Sequence, residues 1–212
     1  MNRRGARTRG GARVIADTPC GRIGYGENSA PSPGAPNRRE AFVTASSQAP
    51  IENDVDARRE AAQARFAELR TARTPVADAD LDAVWADLDT IRPADMLGRW
   101  HGGEFVTGHA MNGLLTKIGW YGKNFISTSE VQPLVCRNDA GELYSNTEVG
   151  KGEASLWAVE FRGEVTASMV YDGQPVIDHF KRVDDTTVMG IMNGSGGLIG
   201  GRHFYFYLER DS

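Results

Sequence analysis

Cysteine is scarce: Cys20 and Cys136 are the two thiols in 212 residues. Two thiols give no disulfide framework, and without a CxxC pair they give no cysteine-ligated zinc module. A chain this long can bury enough core to fold without covalent staples, so a reducing cytoplasm is the expected compartment. Long apolar runs are missing too. The longest, Phe204–Leu208, has five residues, against the roughly 18 that a membrane-spanning helix requires. No membrane span is therefore expected. Histidine is limited to His101, His109, His179 and His203, and no two stand at HxH or HxxxH spacing, so no local metal site is expected. Glycine vanishes between residues 51 and 97, although the chain holds 25 glycines and 18 of them lie in 98–212.

Charge divides the chain as well. Residues 1–50 carry eight arginines against Asp17, Glu27 and Glu40, a balance of +5 within an overall −4. The remaining 16 basic and 25 acidic side chains give −9. A folded part that acidic offers no nucleic-acid footprint. Residues 1–50 are rich in Arg, Gly, Pro, Ser and Ala without apolar periodicity, which predicts a disordered basic tail. Arg3-Arg4 is followed by no apolar stretch, so neither a secretory nor a twin-arginine signal fits. The arginine excess suits a mitochondrial presequence, but the glycines and prolines oppose its amphipathic helix. Arg9-Gly10-Gly11 is the one feature of the kind that binds RNA, and a solvated tail is the simpler expectation.

Residues 51–97 form the helical segment. Asn53 or Asp54 can cap a helix through Arg70, with Ala57, Ala61, Ala62, Ala64 and Ala67 as strong formers. Val55, Phe66 and Leu69 give a thin apolar face, which predicts a loosely held helix. Thr74-Pro75 breaks it. A second helix is predicted over 78–89, where Leu81, Val84, Trp85 and Leu88 fall on one stripe, and Pro93 stops it.

From Gly98 onward short β runs alternate with turn signals. Strands are predicted over 99–106, 121–127, 133–137, 142–147, 154–161, 164–171, 175–183, 187–192 and 203–210, with a helix over 111–118. Turns fall at Asn138–Gly141, Arg162-Gly163, Asp172-Gly173 and Asp184-Asp185. Spacing of about ten residues indicates an antiparallel sandwich or barrel, and the last strand favours a mainly β, closed barrel. Phe204, Phe206 and Leu208 face one way, Tyr205, Tyr207 and Glu209 the other. One face can line an interior while the other packs under a helix, and closure removes exposed strand edges. The last strand would then pair with the first, near Trp100. An apolar exterior under a thin helix would favour a homodimer.

Gly98-Arg99-Trp100-His101-Gly102 reads G-x-W-x-G. Glu104–His109, Gly113-Leu114-Leu115 and Trp120–Phe125 follow, then Met169–Lys181 and the closing Phe204–Arg210. Over about residues 80–212 the chain resembles the GXWXG domain family followed by its companion domain of unknown function. The pentapeptide is also similar to the first strand of calycin-like barrels, among them lipocalins, fatty-acid-binding proteins and nitrobindins. The resemblance implies a barrel that closes one end with Trp100, with Gly98 and Gly102 allowing close backbone approach. Arg202 or Arg210 could stack on the tryptophan. Gly103-Glu104-Phe105 departs from the glycine–tyrosine continuation of nitrobindins.

The function expected is intracellular binding of a small hydrophobic or amphipathic ligand, a fatty acid, other lipid or aromatic metabolite, inside the barrel. No cofactor is required. Haem held by His179 is one alternative. An enzyme with Asp178 or His179 as acid or base, and Tyr121 or Lys123 polarising a carbonyl, is another. Asp178 and His179 are adjacent on one predicted strand, so their side chains point to opposite faces. Val176, Asp178 and Phe180 share one face; Ile177, His179 and Lys181 share the other. A lysine delivers its ammonium to water, which points to the Asp178 face as the interior. The Asp178–His179 pair is expected to anchor the ligand's polar end, with Tyr121 and Lys123 near the rim. Asn193–Gly197 lacks the first glycine of a G-x-S-x-G elbow and is expected to be a loop between the last two strands.

Overall fold

A computed structural model describes residues 49–212, with side chains from Asn53 onward. The expectations for the basic tail and for Cys20 lie outside the described residues. Helix α1 spans Ala49–Arg70, starting earlier than its capping pattern suggests. Pro50 sits in the first turn, where its missing N–H has no partner to lose. Ala62, Phe66 and Leu69 are buried on one stripe. The docking is firmer than the thin apolar face implies. Phe66 meets Phe105 and Tyr207 edge-on at 5.4 and 6.0 Å, and Arg70 binds Glu209 at 2.8 Å. Helix α2 spans Asp78–Asp87 and buries Leu81, Val84 and Trp85. It stops short of residue 89 because Leu88 turns extended, and Asp89–Thr90 instead pairs with Arg182 and Lys181.

From Gly98 onward a short strand, Leu143–Ser145, pairs with Val135–Arg137, and eight strands build the barrel, labelled β1 Gly98–Glu104, β2 Trp120–Phe125, β3 Val131–Arg137, β4 Ala154–Phe161, β5 Glu164–Tyr171, β6 Ile177–Arg182, β7 Thr187–Asn193 and β8 Phe204–Arg210. Each pairs antiparallel with its neighbour in sequence, and β8 returns to β1, so the sheet closes into an eight-strand up-and-down barrel. The closing register is Arg210↔Trp100 through Phe206↔Glu104. The seam between β3 and β4 is thin, a single registered pair, Val131↔Ala154. The 111–118 helix shrinks to α3, Leu114–Lys117, because Gly113 is left-handed at φ 79° and no helix continues through it. A last short helix, α4, spans Thr147–Gly150 with Asn146 accepting from the Val149 N–H.

Alternation along the strands makes two cores. The barrel interior holds Trp100, Phe125, Met169, Phe180, Phe206 and Leu208. Outside, Met189, Ile191 and Tyr205 pack under Leu81, Val84 and Trp85 of α2 and Phe66 of α1. The apolar outer face of β8 is thus covered by the chain's own helices. Asp82 pins α2 there, accepting from Tyr205 Oη at 2.6 Å and Arg162 Nη1 at 2.7 Å.

One barrel end is shut. Trp100 is 1% exposed and its Nε1–H donates to the Met96 carbonyl at 2.7 Å. Arg210, rather than Arg202, lies over its ring at 4.2 Å and donates to the Leu97 and Asp95 carbonyls. Arg202 binds Asp78 instead. Truncating a buried tryptophan leaves a large void. Trp100→Ala should therefore lower the unfolding free energy by about 3–5 kcal/mol in urea titrations.

His179 lies on the outer face, 2% exposed. It stacks on Phe161 at 3.9 Å, and its Nδ1 shares a 2.8 Å hydrogen bond with Ser168 Oγ. Burial first, then the charges of His203 and Arg162, lower its pKa from 6.5 to about 4. The unfolded chain takes up this proton near the ordinary histidine value, whereas the folded chain resists it until the lower one. Stability is therefore complete above the upper value and is lost as pH falls through the window, by up to about 3 kcal/mol. Urea unfolding across that window should show His179→Gln with a clearly flatter pH dependence than the parent.

Candidate functional site

The end opposite Trp100 is open. It holds a cavity of about 510 Å³ whose walls include Leu115 from α3, Leu134 from β3, Val176, Met192 and the rings of Phe204 and Phe206. Phe204 and Phe206 come from the start of β8, while the plug residue Trp100 pairs with Arg210 at that strand's end. The interior is thus filled at one end and hollow at the other. A shallower depression of about 340 Å³ lies at the closed end, beside Asp95, Asp184, Arg182 and Arg210.

Two charges reach into the apolar cavity. Lys123 on β2 and Asp178 on β6 line it and meet across the barrel, Nζ to Oδ2 at 2.9 Å. They are 2% and 1% exposed. Lys123 Nζ also donates to the Pro133 carbonyl at 3.2 Å and to Tyr171 Oη at 3.4 Å. The rings of Phe206, Tyr171 and Trp120 surround the ammonium at 5.2, 5.6 and 5.8 Å. Burial raises the pKa of Asp178; Lys123 and Tyr171 pull the other way without cancelling it. Burial and the neighbouring carboxylate push the Tyr171 hydroxyl well above its ordinary value. Asp178 Oδ1 has no hydrogen-bond partner, and neither does Trp120 Nε1. A buried ion pair is poor evidence of stabilisation, because desolvation offsets most of the attraction. Its place on a cavity wall gives it a different significance.

The four sequence-predicted residues do not gather in one place. Asp178 and Lys123 join inside, and Lys123 lies deep in the wall, not at the rim. His179 sits behind the wall on the outer face. Tyr121 is outside too, its hydroxyl donating to Asp211 at 2.8 Å, with Arg137 at 5.2 Å over its ring. Residues 121 and 123 would share a face in a regular strand. Register shifts on either side of Gly122, between Trp120 and Asn124, break that alternation, so Trp120 and Lys123 both turn inward. Such bulges re-aim side chains. Gly122 permits this one, since a Cβ there would sit 1.9 Å from the Trp100 carbonyl oxygen. Gly102 makes room in the same way: a Cβ would come within 2.1 Å of the Trp120 ring. Gly98 opens β1 below them.

Trp120, Tyr171 and Phe206 are site residues that sequence reasoning missed. Tyr171 carried a readable signal, since it alternates with Ala167 and Met169 and Met169 pairs with Asp178. Haem held through His179 does not fit, because that ring faces away and the residues lining the cavity include no histidine. Among the described residues, no group of three or more His, Cys, Asp or Glu is placed to hold a metal ion. Cys136 is a free, buried thiol. Among the described residues, no helix is long and apolar enough to cross a membrane.

Comparison with known proteins follows the same division of the chain. The GXWXG protein family matches residues 83–141, and a domain of unknown function (DUF4334) matches residues 152–210. No curated protein matches the sequence. A crystal structure of a protein from Thermomonospora curvata is similar, with 38% identity over 72% of this chain and 99% of that one, at a TM-score of 0.65. With the pentapeptide at the head of β1, both domain matches in order and a relative covered almost end to end, the chain belongs to the GXWXG protein family.

Proposed function

We propose that the barrel binds a small apolar or amphipathic molecule, with the polar end of that molecule directed at Asp178 and Lys123. The observation that carries the reading is the cavity of about 510 Å³, apolar in its walls and ending on a buried ion pair with one carboxylate oxygen unpaired. Small-ligand sites have this character, with a few polar groups fixing orientation within a largely hydrophobic lining. A buried charge pair costs desolvation that packing alone does not require, and a ligand's polar end would use it. Two thiols and no disulfide framework suit a protein acting in the reducing cytoplasm.

A second reading has Asp178 exchanging a proton with the bound molecule. The raised pKa of that carboxyl and its neighbours Lys123 and Tyr171 support it, since acids and bases tuned by burial cluster at active sites. Nothing in the lining selects a reaction, so binding is the stronger reading.

Uptake of an environment-sensitive fluorophore such as anilinonaphthalene sulfonate, and native mass spectrometry of the purified protein, test the proposal. The parent should enhance the probe's emission and release it to a competing apolar molecule. Val176 lines the cavity, so Val176→Trp should fill it. That variant should bind the probe at least about tenfold more weakly while keeping the parent's circular dichroism. Equal uptake by both proteins would place binding elsewhere.

A further inference from the structure

The polar groups at the base of the cavity are unequally occupied. Lys123 is already occupied: its ammonium donates to the Pro133 carbonyl and to Tyr171 Oη and is ion-paired with Asp178 Oδ2. An incoming carboxylate would find the ammonium's charge already paired, and it would lie against the carboxylate of Asp178. Asp178 Oδ1, by contrast, is buried without a donor. Trp120, on the same cavity wall, has a buried Nε1–H without an acceptor. Tyr171 Oη accepts from Lys123, and its own hydrogen is engaged by the Asp178 carboxylate.

Each ligand chemistry fares differently there. An ether or ester has no hydrogen for Oδ1. An alkylammonium would supply one but would bring a second cation beside Lys123, in a site with little water to screen it. A hydroxyl both donates and accepts, so one group can serve Asp178 and a neighbouring donor together. We propose that the ligand is a neutral hydroxyl compound, an alcohol on an apolar body whose O–H donates to Asp178 Oδ1, and not a fatty-acid carboxylate. This rests on the reading that the cavity takes up an apolar molecule.

The test compares three probes of one chain length, n-decanol, decanoate and decyl methyl ether, as competitors for the bound fluorophore at neutral pH. A hydrogen bond to a charged partner distinguishes them. Decanol should displace the fluorophore at a concentration about tenfold below that of either other compound. Decanoate binding as tightly as decanol, or tighter, overturns the hydroxyl assignment and leaves the cavity reading standing. Failure of all three to displace the fluorophore, with no bound mass in native spectra, overturns both. Two variants localise the effect. Asp178→Asn and Trp120→Phe should each narrow the gap between alcohol and ether by lowering alcohol affinity alone. An unchanged gap in both, in folded protein, overturns the assignment. The parent's own ligand series decides the matter if Asp178→Asn does not fold.

Discussion

The return of the last strand to the first is the constraint on which everything else depends. While β8 is free, its two aromatic faces have no separate environments. Once Arg210 stands opposite Trp100 and Phe206 opposite Glu104, the pleat assigns Phe204, Phe206 and Leu208 to the inside and Tyr205 and Tyr207 to the outside. The inside ring set builds the barrel core and one wall of the cavity. The outside set builds the surface on which α1 and α2 rest. Closure therefore fixes the interior and the docking of both helices at once, and it brings Arg210 onto the tryptophan ring at the shut end.

The Lys123–Asp178 contact is the second long-range tie, and it works against the first in energetic character. Strand pairing and ring burial favour a dry interior, whereas two charges in that interior must be withdrawn from water. The ion pair, two hydrogen bonds and three aromatic faces offset the cost for Lys123. Asp178 receives less, since one of its oxygens remains unpaired. Local departures from the rules of stable packing concentrate where a protein does something other than fold.

The barrel itself was legible in the sequence because strand periodicity and turn chemistry are local. Arg162-Gly163 and Asp172-Gly173 mark turns; β4 ends at the first, and β5 runs between the two as the pattern indicates. The opposed faces of Asp178 and His179 were legible for the same reason. Tyr121 was not, because its direction depends on the register of β2 against β3, and the sequence carries that information only as Gly122. The firmness of α1 was hidden too. Its thin apolar stripe looks weak alone, and Phe66 gains its partners from Phe105 and Tyr207, which lie far along the chain. The cavity could not be read at all, since a void is set by the residues that fail to fill it from several strands together.

That void lies where the barrel is least regular. At the shut end, Trp100 is held by a hydrogen bond, a guanidinium and continuous ladders on both sides of β1. The hollow end is bordered by single-turn helices α3 and α4 and by the glycine-rich segment after β7. β3 meets β4 at the single pair Val131↔Ala154, and its other half, Val135–Arg137, pairs with Leu143–Ser145. Opening free energy follows the number of ladder bonds and buried contacts that must be broken. Lys123 and Asp178 thus stand on laddered strands, whereas the parts of the rim that come from α3, α4 and the segment after β7 have no ladder to hold them, which is the distribution that lets a rigid polar anchor coexist with an accessible interior.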